Sequence, residues 1–171
     1  MRFTETPLAG AYLLDVERRE DQRGFFAHAW SKAEFLQHNL NAQIVDINFS
    51  YNRACGTLRG MHFQHAPHAQ VKTVRCTRGA IHDVIIDLRP ASPTFTQSFG
   101  VELSAANHRA LYVPEGFAHG FQTLEDDCDV IYLVSSAYTP GAEGGVRYDD
   151  PAYQINWPLA VSVISERDLA W

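Results

Sequence analysis

Residues 57–64 read Thr-Leu-Arg-Gly-Met-His-Phe-Gln, a short β-prone run that contains a histidine and an amide. Side chains alternate across a strand, so His62 and Gln64 share one face while Met61 and Phe63 share the other. The stretch therefore predicts a strand that presents a histidine and an amide together from one face of a sheet.

Residues 71–76, Val-Lys-Thr-Val-Arg-Cys, predict a nearby strand with Lys72 on the face of Val74 and Cys76. The chain has only two lysines, Lys32 and Lys72, against twelve arginines. A lysine inside an apolar strand of such a chain indicates that an ammonium group is required there. Edge strands also carry lysines that face water, so a solvated Lys72 is the alternative.

The rest of the chain is a series of short apolar runs separated by glycine, proline, asparagine and aspartate. Ser31 and Glu34 have capping-box spacing and predict one short helix after Ser31. Many short strands with little helix predict an all-β sandwich or barrel, in a single domain spanning residues 1–171. The strands are predicted at residues 10–16, 43–53, 70–77, 80–89, 94–103, 109–113, 117–124 and 129–135; in the second, Val45, Ile47 and Phe49 alternate with Asp46 and Asn48.

Composition excludes some classes of protein. The formal net charge is −6 and no basic stripe occurs, which argues against nucleic-acid binding, although local arginines can still bind an anionic small molecule. Three cysteines without paired spacing predict free thiols in a reducing compartment. No apolar run has the length of a membrane span or the form of a signal core, so a cytoplasmic protein without a membrane partner is expected.

Two more polar side chains lie in apolar strands. His119 lies between two phenylalanines on one face of its strand, and Tyr132 lies between two valines. Each alone is most often a hydrogen-bonded core residue. Together with His62 and Lys72, however, they supply the histidine, lysine and tyrosine that proton-transfer chemistry uses when such groups face one cavity.

These motifs resemble the deoxythymidine-diphosphate-4-keto-6-deoxyhexose 3,5-epimerases, rhamnose-pathway enzymes of the cupin superfamily. The resemblance implies a cupin-type double-stranded β-helix, or jelly-roll barrel, with a few short helices. It also implies a homodimer with exchanged N-terminal strands. The blocks that carry the likeness are residues 21–26 (Asp-Gln-Arg-Gly-Phe-Phe), 58–64, 67–72, 87–89, 92–95, 114–121, 146–151 and 165–168.

The resemblance also implies an isomerase that needs no cofactor. His62, held by Asp168, matches the base that removes the proton alpha to the C4 ketone. Tyr132 matches the acid that returns a proton on the opposite face of the sugar, and Lys72 matches the group that stabilises the enolate oxygen. Such a reaction requires a base and an acid on opposite sides of one carbon, with a cation where negative charge develops.

Further residues match the family's contacts with its nucleotide-diphosphate sugar. Strict alternation would turn Arg59 away from His62, so placing both in one site requires a bulge, which Gly60 marks. The implied substrate-binding residues are Arg23, Phe26, Asn48, Arg59, His119, Tyr138, Glu143 and Arg167.

The chain departs from the family pattern in the substrate pocket. His28 stands near the place of a carboxylate that contacts thymine, and Asp46 stands where the family has a glutamine two residues before the asparagine. The nucleotide, the sugar and the choice between C3, C5 or both therefore stay open. A single-carbon epimerase, or one acting on another nucleotide sugar, is a close alternative.

Two other classes of protein are alternatives. A metal-dependent cupin would use a His-x-His pair, but residues 62–64 read His-Phe-Gln, and the adjoining His65 and His68 lie in a predicted loop. No metal is therefore expected, and metal analysis of the purified protein would discriminate. A non-catalytic sugar-binding β-domain would bind ligand without exchanging protons with solvent at C3 or C5.

Overall fold

The computed structural model describes residues 1–171 as thirteen strands and two short helices. Neither helix has the length and apolar character needed to cross a membrane. The helices are α1 (Lys32–Gln37) and α2 (Glu166–Leu169). The strands are β1 (Arg2–Glu5), β2 (Tyr12–Asp15), β3 (Arg19–Asp21), β4 (Gly24–Phe26), β5 (Asp46–Asn52), β6 (Leu58–Gln64), β7 (Lys72–Arg78), β8 (Ala80–Asp87), β9 (Ser98–Ser104), β10 (Ala110–Val113), β11 (Phe117–Thr123), β12 (Cys128–Val134) and β13 (Glu143–Gly145).

Eleven strands form two antiparallel sheets, and the hairpin of β3 and β4 belongs to neither. The six-stranded sheet has the order β1-β2-β10-β7-β12-β5, and the five-stranded sheet has the order β13-β6-β11-β8-β9. The largest core cluster joins the two sheets, with Val74 and Val130 from the first and Ile85 and Phe121 from the second. Burial of apolar surface between the sheets therefore holds the fold together, and the all-β prediction is confirmed.

Each of the nine predicted strands, including that of residues 57–64, overlaps an observed strand, with ends that differ by up to four residues. The strands that the pattern missed are β1, β3, β4 and β13, which have only three or four residues each. Runs of that length are too short to show a period-two pattern, and most of their residues are exposed.

Helix α1 starts as predicted, but only half of the expected capping box forms. The Ser31 hydroxyl accepts the backbone N–H of Glu34, at 3.5 Å. The Glu34 carboxylate binds the amino group of Met1 and, at 2.9 Å, Nδ1 of His28. A charged donor is a stronger partner for a carboxylate than the neutral backbone N–H of Ser31 would be. The expected bond from the Ser31 N–H to the Glu34 carboxylate therefore does not form, and that part of the capping-box prediction is wrong.

Strand β5 lies at the edge of the six-stranded sheet, and the apolar face that its alternation indicated is uncovered in this chain. Ile47 is 65% exposed and Phe49 is 64% exposed, and Val45 and Tyr51 on the same face are exposed as well. An apolar strand face that no part of its own chain covers is typical of a surface that packs on another molecule.

The predicted bulge at Gly60 is confirmed. In the pairing of β6 with β11, His119 lies opposite His62 and Phe121 lies opposite Arg59, so three residue steps on β6 face two on β11. Gly60 has a φ of +126°, and a Cβ on it would lie 2.6 Å from the Cα of Gly120. The bulge brings Arg59 and His62 to the same cavity.

We expect Gly60→Ala to lower the free energy of unfolding by about 2–4 kcal/mol, from the strained φ and from overlap with the facing backbone. The matched control is Gly24→Ala, because Gly24 has a φ of +125° but no atom lies within 4 Å of the place that a Cβ would occupy. That variant should lose only about 1–2 kcal/mol. Urea unfolding of both variants measures the difference, and equal losses would contradict the packing constraint at Gly60.

Candidate active site

Most of the predicted site residues line two adjoining cavities that share His62 and Lys72. The inner cavity, of about 240 Å³, is lined by Ser50, Arg59, His62, Lys72, His119, Phe121 and Tyr132. The outer cavity, of about 230 Å³, is lined by His62, Phe63, Gln64, Gln70, Lys72, Tyr138, Glu143, Gly144, Arg167, Asp168 and Trp171. The two sheets thus deliver polar groups that are far apart in sequence to one place.

His62 is held by a buried carboxylate. Its Nε2 lies 2.7 Å from Oδ1 of Asp168, and the other oxygen of Asp168 accepts the backbone N–H of Gly60 at 3.0 Å. Ser165 caps α2 and thereby fixes Asp168 against β6. The predicted contact of His62 with Asp168 is present, and it orients the imidazole by fixing which nitrogen faces the carboxylate.

The electrostatic balance at His62 favours the neutral imidazole. Burial lowers the pKa of His62 most, and the nearby charges of Lys72 and His119 lower it further. The hydrogen bond and the charge of Asp168 raise the pKa in opposition, without restoring its usual value. A neutral imidazole that touches a carboxylate can accept a proton and be stabilised once it is charged.

Lys72 lies inside the molecule, and the alternative of a solvated edge-strand lysine is wrong. Strand β7 lies between β10 and β12 in the six-stranded sheet. The Nζ of Lys72 donates to the backbone carbonyl of His62 across the cavity, at 3.2 Å. Burial lowers the pKa of Lys72 to about 8, although the charge of Asp83 raises it in part. Lys72 therefore supplies a positive charge next to the base at neutral pH.

Tyr132 faces the inner cavity from the sheet opposite His62. It lies on β12, in register with Val74 of β7 and Asn48 of β5. Burial is the main cause that raises the pKa of its phenol, and the charge of Asp83 adds to the effect. The hydroxyl is therefore protonated at neutral pH, so it can donate a proton from the side of the cavity opposite to His62.

His119 is both a hydrogen-bonded core histidine and a residue of the inner cavity, the two roles that the sequence left open. Its Nε2 lies 2.8 Å from Oδ1 of Asp83, and both side chains are buried, as expected for a hydrogen-bonded core histidine. It also lines the inner cavity, with its ring 6.0 Å from that of Tyr132. Sequence reasoning missed Asp83; the signal was a carboxylate between Ile81 and Ile85 on one face of an apolar strand.

The outer cavity brings together three predicted substrate-binding residues. The Tyr138 hydroxyl donates to Oε1 of Glu143 at 2.9 Å, and Nη2 of Arg167 donates to the same oxygen at 3.0 Å. Trp171, which the sequence analysis did not single out, lines this cavity and lies against Gly145, where a Cβ would be 2.3 Å from the indole. A lone aromatic residue after a short helix gives no pattern that could have indicated its place.

Three predicted substrate-binding residues lie outside both cavities in this chain. The Arg23 side chain is 90% exposed and pairs with Asp21, at 2.6 Å. Phe26 is exposed on the β3–β4 hairpin, and Asn48 is exposed on β5. His28, which occupies the place of a family carboxylate, pairs with Glu34. The expectation that Arg23, Phe26 and Asn48 line the site is therefore not met by one chain alone.

No group of three or more histidine, cysteine, aspartate or glutamate side chains has the arrangement of a metal site. His65 is exposed next to its turn, whereas His68 is partly buried with its Nδ1 3.3 Å from the Thr139 hydroxyl. The expectation that the protein uses neither a metal nor a cofactor stays a prediction, which metal analysis can test.

Comparison with known proteins gives one consistent answer. The model of the dTDP-4-dehydrorhamnose 3,5-epimerase family matches residues 5–171. The chain belongs to this family. A curated dTDP-4-dehydrorhamnose 3,5-epimerase from Methanothermobacter thermautotrophicus is 42% identical over 173 residues, which cover 99% of this chain and 92% of the relative. The predicted isomerase class is thereby confirmed.

Solved epimerase structures agree with the fold. The crystal structure of dTDP-4-dehydrorhamnose 3,5-epimerase from Bacillus anthracis, with TDP and PPi bound, matches at a TM-score of 0.93 and 42% identity, over 98% of this chain and 95% of that one. These epimerases are cupin-type β-barrels, so the predicted fold class is confirmed. The chain is also similar to a dTDP-4-dehydrorhamnose 3-epimerase from Streptomyces niveus, at 36% identity over 98% of this chain and 81% of the relative.

We expect Asp168→Asn to lower the pKa of His62 further, because a charge and a hydrogen bond that raise this pKa are lost while burial still lowers it. An NMR titration of the imidazole nitrogens measures the change. The control is Asp149→Asn, which removes an exposed carboxylate paired with Arg147. An unchanged His62 pKa in Asp168→Asn would contradict the electrostatic coupling of the pair.

Proposed function

We propose that this chain epimerises a nucleotide-linked 4-keto-6-deoxyhexose, of the dTDP-4-keto-6-deoxyglucose type, at C3 and/or C5. The observation that carries the proposal is the inner cavity, where His62 of one sheet and Tyr132 of the other line the same space beside Lys72. A base and an acid on opposite sides of a bound sugar can invert one carbon without a cofactor. Membership in the epimerase family supports the same reaction.

The roles follow from the charge state of each group. Neutral His62 removes the proton alpha to the C4 ketone, and Asp168 stabilises the imidazolium that results. The C4 oxygen gains negative charge as the enolate forms, and the buried ammonium of Lys72 stabilises it. Tyr132 then gives its proton to the same carbon from the opposite face. The outcome is inversion, with both proton transfers made by side chains of the cavity wall.

The outer cavity is the place that we propose for the nucleotide diphosphate. Arg167 offers a guanidinium at its rim, and Tyr138 and Trp171 offer aromatic surface. Arg59 offers a second guanidinium at the inner cavity. One relative is named a 3,5-epimerase and another a 3-epimerase, so inversion at both carbons and inversion at C3 alone are both candidates.

The central test is incubation with nucleotide 4-keto-6-deoxyhexoses in heavy water, with deuterium at C3 and C5 read by NMR. We expect the wild type to incorporate deuterium at the carbon or carbons that it inverts. Binding without incorporation at either carbon would favour the sugar-binding alternative. Activity lost with a stoichiometric metal and restored by it would favour the metal-dependent alternative.

Two variants divide the reaction into its halves. His62→Ala should lose both exchange and epimerisation by about 100- to 10,000-fold, because the base is gone. Tyr132→Phe keeps the base, so solvent exchange at the alpha carbon should outpace formation of the epimer. Normal epimerisation by Tyr132→Phe would contradict the role of the phenol, and near-normal turnover by His62→Ala would contradict that of the imidazole.

We propose further that the active form is a homodimer in which each chain completes its partner's site. Arg23 and Phe26 match substrate contacts of the family but lie on a hairpin outside both cavities of this chain. Strand β1 pairs with β2 of its own chain, which leaves the β3–β4 hairpin as the N-terminal segment available for exchange. The exposed apolar face of β5 (Ile47, Phe49) supports burial against a second copy.

Complementation tests this shared site. Arg23→Ala and His62→Ala should each be weakly active alone, whereas co-expression should restore wild-type turnover in about one quarter of the sites, since only one combination of chains has both residues. Light scattering measures the assembly in parallel. The control is co-expression of His62→Ala with Lys72→Met, which should restore nothing because both residues come from one chain. Absence of complementation in a confirmed dimer would contradict the shared site.

We also propose a compartment and a domain organisation for the protein. The three cysteines, Cys55, Cys76 and Cys128, are free thiols, which supports a reducing compartment such as the cytoplasm. One core cluster draws on both sheets, which supports a single domain over residues 1–171.

A further inference from the structure

Asp83 is a buried carboxylate whose hydrogen bonding is incomplete. The side chain has no exposure, and it lies on β8 between Ile81 and Ile85 of the main core cluster. Oδ1 lies 2.8 Å from Nε2 of His119, but Oδ2 is buried without any hydrogen-bond partner. Burying a carboxylate in apolar surroundings is costly unless nearby positive charge compensates it, so an unpaired oxygen at this place requires an explanation.

The charge of Asp83 acts on two groups of the inner cavity, Lys72 and Tyr132. Its charge raises the pKa of Lys72, against the larger lowering caused by burial, and it also raises the pKa of Tyr132. Lys72 is partly buried at the inner cavity, whereas Lys32, the other lysine, is exposed on α1. The proposed reaction uses both groups in their protonated forms, Lys72 as a cation and Tyr132 as a proton donor. One buried negative charge favours both forms at once.

We propose that Asp83 is a positioning residue: it orients His119 through the hydrogen bond to Nε2, and its carboxylate is the fixed counter-charge of the inner cavity that His119, Lys72 and Tyr132 line. The inference rests on the proposed function for the roles of Lys72 and Tyr132. Asp83 itself does not line either cavity, so it acts through the side chains that do.

The other charged groups around Lys72 do not account for this effect. His62 supplies the carbonyl that Lys72 binds, and its own carboxylate partner, Asp168, is engaged by the imidazole and by the N–H of Gly60. His119 and Arg59 carry no negative charge, and the phenol of Tyr132 is neutral. Asp83, which contacts His119 of the cavity wall, is a carboxylate next to the inner cavity with an oxygen free of other partners.

The test uses the small number of lysines. A ¹³C-lysine label gives resonances from Lys32 and Lys72 alone, and Lys72→Met assigns them. In Asp83→Asn, which keeps the shape of the side chain, we expect the pKa of Lys72 to fall by about one unit from its wild-type value. The alkaline limb of kcat should move to lower pH by the same amount, because Lys72 loses its proton earlier. The resonance of the exposed Lys32 should not change.

Asp87→Asn is the matched control. Asp87 lies on the same strand and is equally buried, but Arg89, Ser92 and Thr94 bind both of its oxygens away from the cavity. This variant should lose stability while the Lys72 titration and the alkaline limb stay in place. A Lys72 pKa that is the same in folded Asp83→Asn as in the wild type would overturn the proposal. Because the titration needs no turnover, inactive wild-type protein would overturn the proposed function without deciding this one.

A stability measurement covers the case in which Asp83→Asn does not fold. The double variant Asp83→Asn with Lys72→Met removes both charges, so it should recover the fold that either single change weakens. Urea unfolding of the singles and the double measures the coupling. A double variant that loses as much stability as the two single changes added together would overturn the proposal.

Discussion

The close approach of Gly60 on β6 to Gly120 on β11 is the constraint on which the site depends. A side chain at Gly60 would overlap the facing backbone, and the bulge that this closeness allows turns Arg59 toward the cavity of His62. The N–H of Gly60 also binds the carboxylate of Asp168 that holds His62. One backbone position therefore fixes the base, its carboxylate partner and a guanidinium.

The second feature of the site is the way in which buried charge is divided between the sheets. The five-stranded sheet supplies His62, His119 and Asp83, whereas the six-stranded sheet supplies Lys72 and Tyr132. Burial lowers the pKa of His62 and raises that of Tyr132, so each group is in the protonation state that its proposed role needs. The fold thus separates base from acid by placing them on opposite walls of one cavity.

The sequence predicted much of this arrangement from local pattern. Alternation placed Lys72 on the face of Val74 and Cys76 and Tyr132 between two valines, because period-two patterns report which side chains share a face. It paired His62 with Gln64 without deciding which face is buried, and it left a solvated Lys72 as an alternative. The contact of Asp168 with His62 came from the family resemblance, since no local pattern links residues more than a hundred positions apart. Trp171 was missed for the same reason. The exposure of the apolar face of β5 could not be predicted, because alternation shows which side chains share a face and not whether that face is covered.

The structure of a complex with a nucleotide 4-keto-6-deoxyhexose, bound to an inactive His62→Asn variant, tests the account most directly. We predict that the sugar ring lies between residue 62 and the Tyr132 hydroxyl, with these two side chains on opposite faces of the reacting carbon. The C4 oxygen should lie within hydrogen-bond distance of the Lys72 ammonium. A sugar that has both side chains on the same face, or a C4 oxygen directed away from Lys72, would contradict the account.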